Sequence, residues 1–243
     1  RFALVSWGSE MCIRDSHYAV QKPDEVTDLV DFKQPEISDT DLKAPIYIDF
    51  GPTSLSATPW NNITSHQESS TTSWIKDVEN NYTNIGVRVL DGFTATHAGV
   101  GSEPASPVTV DGVEFPLTAW KDGLLVKGEK NQGDVGPGRI EISQLDVARK
   151  YNFTILAIRF NGSKDARISS YKLVGKTESA VKEVKTGIKD AASFAAANFE
   201  EYIAKFENVE PDSEGKVIVE VKGLDTGSAA EGHINALCIS LAK

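Results

Sequence analysis

The stretch Lys216-Val217-Ile218-Val219-Glu220-Val221 decides the fold class. Val217, Val219 and Val221 fall on one side of an extended chain, and Lys216, Glu220 and the following Lys222 fall on the other, around Ile218. Successive side chains of a strand point to opposite faces, so this segment has one dry face and one wet face. A sheet built from such strands must stack its dry face on another layer.

Outward from that segment the same period of two recurs. Ile46-Tyr47-Ile48-Asp49-Phe50 reads as a strand stopped by Gly51-Pro52, because Pro lacks a backbone donor and Gly allows the bend. Val108-Thr109-Val110 and Val113-Glu114-Phe115 flank Asp111-Gly112, a hairpin signature. Residues 87–90, 124–126, 139–142, 151–160, 171–174, 202–209 and 234–241 continue the pattern. About ten strands spaced by Gly, Pro, Asp and Asn turns predict an all-β fold, an antiparallel two-sheet, jelly-roll-like sandwich. Residues 177–198, Ala-rich at 191–197, have helical propensity and predict one short helical excursion; tertiary pairing could draw residues 181–184 into a strand instead.

The composition agrees. Among 243 residues, 40% are apolar and 25% charged, enough apolar mass for a packed core and too much for a disordered chain. No run approaches the roughly 20 apolar residues of a membrane-spanning helix. Lys and Arg number 25 against 35 Asp and Glu, and the net charge of -10 speaks against nucleic acid or anionic lipid, both of which reward clustered cations. Cys12 and Cys238 cannot form a disulfide framework, and neither has His or Cys at zinc-ligand spacing. Cys238 lies in an alternating apolar segment and reads as a small buried hydrophobe.

The chain divides into three parts by composition. Residues 1–16, ending Gly8-Ser9-Glu10-Met11-Cys12-Ile13-Arg14-Asp15-Ser16, resemble translated sequencing-adapter read-through of metagenomic gene models, with a genuine strand at residues 2–7 as the alternative. Residues 17–43, with Pro23-Asp24-Glu25 and Pro35-Glu36-Ile37-Ser38-Asp39, read as a linker or the tail of an upstream domain. Residues 44–243 form the sandwich.

Four segments in order carry a resemblance: Ile46-Tyr47-Ile48-Asp49-Phe50-Gly51-Pro52, Pro59-Trp60-Asn61-Asn62-Ile63, Tyr151-Asn152-Phe153-Thr154-Ile155, and a closing part made of residues 209–216 and 233–237. Their order resembles a galactose-binding-like, carbohydrate-binding type of β-sandwich, an accessory module found beside catalytic domains in secreted bacterial proteins such as SGNH esterases and glycoside hydrolases. The likeness covers residues 45–241. It departs from the pattern at Leu156-Ala157-Ile158-Arg159, where a Ser-Arg pair often follows the strand, and in the Ala-rich excursion. The resemblance implies a jelly-roll fold, a noncatalytic role, a polysaccharide or glycan partner, an upstream catalytic domain, and an extracellular, cell-surface or periplasmic location. It also implies a possible structural calcium, for which Asp49 and Glu220, with Asp91 behind them, are the carboxylate candidates.

A glycan binder needs a flat aromatic ring for the apolar face of a pyranose and polar groups for its hydroxyls. Trp60 with Asn61, Trp74, Trp120, and Arg159 with Asp165 and Arg167 are the loop-proximal candidates. Each Trp has a competing role in the core. Asp49 and Asn235 have structural readings as well, the first as an acceptor for turn N–H groups, the second as an amide tie between loops. Catalytic signals are weak: Gly51-Pro52-Thr53-Ser54-Leu55 lacks the acidic residue of a hydrolase elbow, and Ala230 stands where a triad Asp would precede His233. The leading expectation is a noncatalytic carbohydrate-binding-type accessory module of a larger exported protein. A structural or adhesive sandwich without sugar binding is the second, and a fragment of a carbohydrate-active hydrolase or esterase the third.

Overall fold

The structure is a computed structural model that describes residues 42–91, 93–127, 137–160, 167–224 and 231–243. The expectations for residues 1–16 and for most of the 17–43 segment lie outside the described residues.

Two main sheets carry the fold. The five-stranded sheet runs from edge to edge through Ile203–Val209, Tyr151–Leu156, Ala236–Leu241, Ile46–Phe50 and Trp60–Ile63. The six-stranded sheet runs through Lys182–Lys185, Ile168–Val174, Val217–Gly223, Gly138–Ser143, Gly86–Asp91 and Thr71–Thr72. Neighbours are antiparallel except Ile46–Phe50 with Trp60–Ile63, which is parallel. The all-β sandwich is therefore the architecture, with short helical turns at Leu117–Trp120, Ala191–Ala195 and Phe199–Tyr202.

The alternation in residues 216–221 does what its pattern requires. Val217, Val219 and Val221 are fully buried and join Ile140, Ile142, Val87 and Val89 against Ile46, Ile48, Phe50, Phe153, Ile155, Leu237 and Ile239 of the opposite sheet. On the wet face, Arg139 pairs with Asp91 at 2.6 Å and Glu220 at 2.7 Å, and Lys172 reaches Glu220 at 3.1 Å. Glu220 is thus committed to two cations across the sheet.

The five-stranded sheet departs from the one-dry-face pattern. Its outer face is covered over part of its area by the Val108–Val110 and Val113–Phe115 hairpin and by the three helical turns, which build a second core of Val108, Phe115, Trp120, Leu156, Ile158, Ile188, Phe194 and Cys238. That cover explains why the segments at 151–160 and 234–241 read as nearly continuous apolar runs. Trp120, a candidate sugar platform by sequence, belongs to this core: it is fully buried, stacks on Phe194 at 4.9 Å, and donates its indole N–H to the Ser106 carbonyl at 3.2 Å. The Asp111-Gly112 turn takes the positive φ values, 52° and 77°, that its hairpin demands. The 177–198 segment mixes two short strands, Lys182–Lys185 and Gly187–Ile188, with the Ala191–Ala195 helix, whose first turn Asp190 caps by accepting the Ser193 N–H at 2.8 Å.

After Ile46–Phe50 the chain enters a loop pinned by two buried carboxylates. Asp122 Oδ2 accepts from Thr53 N at 2.9 Å, Thr53 Oγ1 at 2.8 Å and Ser54 N at 3.1 Å, while Asp49 Oδ2 accepts from Ser56 N at 3.1 Å. Gly51 sits at φ 151°, and a Cβ there would lie 2.5 Å from the Asp122 carboxyl carbon, so the close approach requires glycine. The remaining oxygen of each carboxylate, Oδ1, is buried without a partner. Burial, with the Asp122 charge adding to it against the opposing Ser56 hydrogen bond, pushes the Asp49 pKa up to about 7.

Two outcomes follow from these features. Val219→Ala should cost roughly 2 kcal/mol in urea unfolding and Ile218→Thr, on the wet face, under about 1 kcal/mol; equal costs would contradict the assigned faces. The folded-state pKa of Asp49 lies above its ordinary value, so the folded protein binds the extra proton between about pH 4 and 7. Its stabilising contribution is complete below that window and is lost as pH rises through about 7. The wild type should therefore lose up to ~4 kcal/mol relative to Asp49→Asn between pH 4 and 8, read from parallel denaturation curves.

Candidate functional site

Asn235 separates the strands Glu231–Ile234 and Ala236–Leu241, where sequence periodicity reads residues 234–241 as one run. It is fully buried, and its amide N donates to the Trp120 carbonyl at 2.9 Å and the Asp122 carbonyl at 2.6 Å while its Oδ1 accepts the Ile158 N–H at 2.7 Å. Ala157 N–H, in turn, donates to the Tyr202 carbonyl at 3.1 Å. These bonds break both apolar runs where they cross. Glu231–Ile234 then pairs with Gly123–Lys127, and Arg159–Phe160 leaves the main sheet to pair with Gly187–Ile188.

The broken strands bring five side chains together at this end of the sandwich. His233 is fully buried and meets His97 edge to face at 5.4 Å between ring centroids. Arg159 Nη1 lies 2.5 Å from His97 Nδ1, and Gly99 N–H lies 3.1 Å from the same atom. Both are donors, so Nδ1 is the acceptor and the proton of His97 sits on Nε2. Arg167, 4% exposed, pairs through Nη2 with Glu231 Oε2 at 3.0 Å. The same oxygen lies 3.6 Å from His233 Nε2, beyond hydrogen-bond length. The His233 backbone is held separately, its N–H on Ser169 Oγ at 2.9 Å and its carbonyl accepting the Tyr171 hydroxyl.

The electrostatics follow from burial. Burial first, then the neighbouring His233, Arg159 and Arg167 charges, hold His97 well below the ordinary imidazole value, with the Ile158 carbonyl opposing them. Burial likewise pulls His233 down to about 4. Glu231 is drawn down to about 2, by the His233 ring first and by the Arg167 guanidinium against the cost of burial. At neutral pH the cluster therefore holds two neutral imidazoles, two guanidiniums and one carboxylate. Arg159 Nε, Arg167 Nε and Nη1, and His233 Nδ1 are buried and have no hydrogen-bond partner; His97 Nε2 and His233 Nε2 make no close bond either, the His97 ring sensing the Ile158 carbonyl and His233 Nε2 facing Glu231 at 3.6 Å. Buried polar atoms are normally paired with protein or ordered water, so these nitrogens are donors and acceptors that water or a ligand can meet.

The other sequence candidates lie elsewhere. Trp60 is half-buried, 5.1 Å from the Tyr47 ring and 5.7 Å from that of Phe115, and packs against the second core. The Asn61 amide is committed, accepting from Lys76 N at 2.8 Å and donating to the Tyr47 and Lys76 carbonyls. Trp74 is 36% exposed at φ 54° on the loop after Thr71–Thr72, at the opposite end of the sandwich from Arg159. Asp165 lies outside the described residues. Asp49 and Glu220 occupy the two different sheets, Glu220 on the wet face of its own, so they do not converge on one cation; among the described residues no group of three or more His, Cys, Asp and Glu side chains does. His97 and Glu231 were missed by sequence reading. A polar His233 and Asn235 inside an apolar alternating run were the available signal for this end.

No family model matches the chain, and no curated protein matches it in sequence. Among solved structures it is similar to TmCBM61 in complex with beta-1,4-galactotriose at 13% identity, covering 64% of this chain and 88% of that one with a TM-score of 0.32. It is similar to the CBM36-1 domain of a multidomain xylanase from the hindgut metagenome of Trinervitermes trinervoides at 13% identity, covering 58% and 90% with a TM-score of 0.28. The plant receptor-like kinase ANX1 gives 6% identity, 71% of this chain and 54% of that one, and a TM-score of 0.35.

The Asn235 tie predicts a measurable cost. Asn235→Ala leaves the Ile158 N–H and the Trp120 and Asp122 carbonyls buried without their partner and should lower the unfolding free energy by roughly 3–5 kcal/mol. A loss under about 1 kcal/mol in denaturant unfolding would show that these segments are held by other means.

Proposed function

We propose that this chain is a noncatalytic carbohydrate-binding-type module of a larger exported protein, and that it holds glycan at the Arg159–Arg167 end. The observation that carries the reading is the set of unpaired polar nitrogens on His97, Arg159, Arg167 and His233, gathered at one end of a sheet sandwich. Sugar hydroxyls and ring oxygens are acceptors for such groups, and half-buried Arg159 places one guanidinium within reach of solvent. The ordered resemblance of residues 46–52, 59–63, 151–155, 209–216 and 233–237 supports the same class.

Hydrolytic chemistry is less well supported by this site. Among the described residues neither imidazole carries a bonded hydroxyl or thiol, the pairing that activates a nucleophile. Ser169 meets His233 through the main-chain N–H and not through the ring. The adhesive reading has one observation in its favour: the outward positions of the six-stranded sheet carry the ion pairs of Asp91, Arg139, Lys172 and Glu220 and no aromatic ring. Calcium enters the proposal only as a structural stabiliser, and its carboxylates would not be Asp49 and Glu220 jointly.

Affinity electrophoresis of the full chain across a polysaccharide panel tests the reading. At least one polymer should retard migration, Arg159→Ala should weaken that retardation about tenfold, equivalent to ~1.4 kcal/mol, and Trp74→Ala should leave it within twofold. Unretarded migration on every polymer would remove the glycan-binding function. Loss in Trp74→Ala alone would move the site to the opposite end.

A further inference from the structure

We propose that the ligand taken at the Arg159–Arg167 end is anionic, the carboxylate of a uronic-acid glycan, in preference to a neutral sugar. This rests on the glycan-binding reading above and names its substrate class. The argument begins with a count of fixed charge. Glu231 neutralises Arg167 through a single oxygen-to-Nη2 contact, which leaves Arg167 Nε and Nη1 buried and unpaired. Arg159 has no ion-pair partner among the described residues; its Nη1 rests on a neutral imidazole and its Nε on nothing. Glu103, the other carboxylate that Arg159 senses, offsets part of its charge but forms no ion pair with it among the described residues; its oxygens accept the Val100 N–H at 2.5 Å and the Gly101 N–H at 2.9 Å.

A guanidinium cannot shed its proton to escape this environment. Burial disfavours the charge of both, and the Arg167 charge further disfavours that of Arg159. A buried, incompletely paired charge is costly until a counter-charge completes it. The missing partner must be an acceptor, because every unpaired nitrogen on Arg159 and Arg167 is a donor, as is Nε2 of His97. It is best planar and negative, because a guanidinium fork matches a carboxylate with two parallel bonds. A diffuse basic surface is not the explanation. The chain carries a net charge of -10, so its overall charge does not favour an anionic polymer and any preference for one must come from a local site.

The test uses the full chain in affinity electrophoresis and calorimetry against polygalacturonate, alginate and hyaluronate, each beside its carboxyl-reduced counterpart. Binding to at least one acidic polymer should exceed that to its reduced form by tenfold or more. Arg159→Gln should abolish that preference and Arg159→Lys should keep part of it, with an unchanged melting temperature showing that both variants fold. Free galacturonate should displace the polymer at concentrations where inorganic phosphate at matched ionic strength does not. Equal displacement by phosphate would make this a general oxyanion site and overturn the sugar assignment. Equal retention on acidic and reduced polymers, or an unaltered preference in Arg159→Gln, would overturn the proposal while leaving glycan binding intact. No retention on any glycan, neutral or acidic, would overturn both.

Discussion

The amide of Asn235 is the contact on which the functional end of this sandwich depends. The two carbonyls it caps belong to Trp120, which ends the Leu117–Trp120 turn, and to Asp122 just after it, and the N–H it receives belongs to Ile158, 77 positions away in sequence. Because the side chain satisfies these backbone groups, neither the 120–122 segment nor Ile158 needs a ladder partner there, while the Asn235 backbone keeps its own bonds to the Leu156 carbonyl at 3.1 Å and from the Phe50 N–H at 2.8 Å. The chain is then free to turn out of the main sheet on either side of it. His233 precedes Asn235 by two residues and Arg159 follows Ile158 directly, so the imidazole and the guanidinium are placed by the same three bonds. Buried polar ties of this kind gain their value from full satisfaction, since each group left over would cost about as much as a bond gives.

The covering layer on the five-stranded sheet has a related origin. Leu156, Ala236 and Cys238 point away from the main core, on the face that an ordinary sandwich would leave wet. Phe194 and Phe199 of the Ala-rich excursion meet each other at 5.0 Å, and Phe194 meets Trp120 at 4.9 Å, so the excursion is folded onto this face by its aromatics. Helical propensity in 191–197 was therefore only half of the signal; the two phenylalanines say where the helix must go.

Period-two alternation made the sandwich legible, because the dry-face rule acts within a few residues and needs no knowledge of partners. Residues 216–221, 46–50 and the Asp111-Gly112 hairpin all fold as that rule requires. What the rule could not show is where a strand changes sheets. Residues 151–160 and 234–241 look continuous, since a break made by a side-chain amide from elsewhere leaves the local apolar pattern intact. The site was less legible for the same reason. Arg159 and Arg167 were visible as a polar pair near a strand end, but His97 and Glu231 come from segments that only the tertiary fold brings near. Trp120 could not be told from an exposed platform by sequence, because residue type alone does not separate a ring stacked on Phe194 from one facing water.

Two buried groups of like charge sit on either side of the Asn235 tie, and they resolve their repulsion by different means. Asp122 meets Asn235 through its own carbonyl, and its carboxylate acts on Asp49 across the pinned loop. A carboxyl group can take up a proton, and burial first, with the Asp122 charge adding to it, raises the Asp49 pKa to about 7, so its charge is reduced around neutral pH without any ligand. Arg159 and Arg167 have no equivalent recourse, because a guanidinium stays charged at every pH the protein meets. The nearby imidazoles cannot supply negative charge, and burial keeps them neutral so that they do not add positive charge either. Glu231 is ion-paired with one of the two cations, and Glu103 acts on Arg159 without an ion pair among the described residues. The acidic pair can therefore lower its charge by taking up a proton, whereas the basic pair cannot, and that asymmetry is what the proposed anion site rests on.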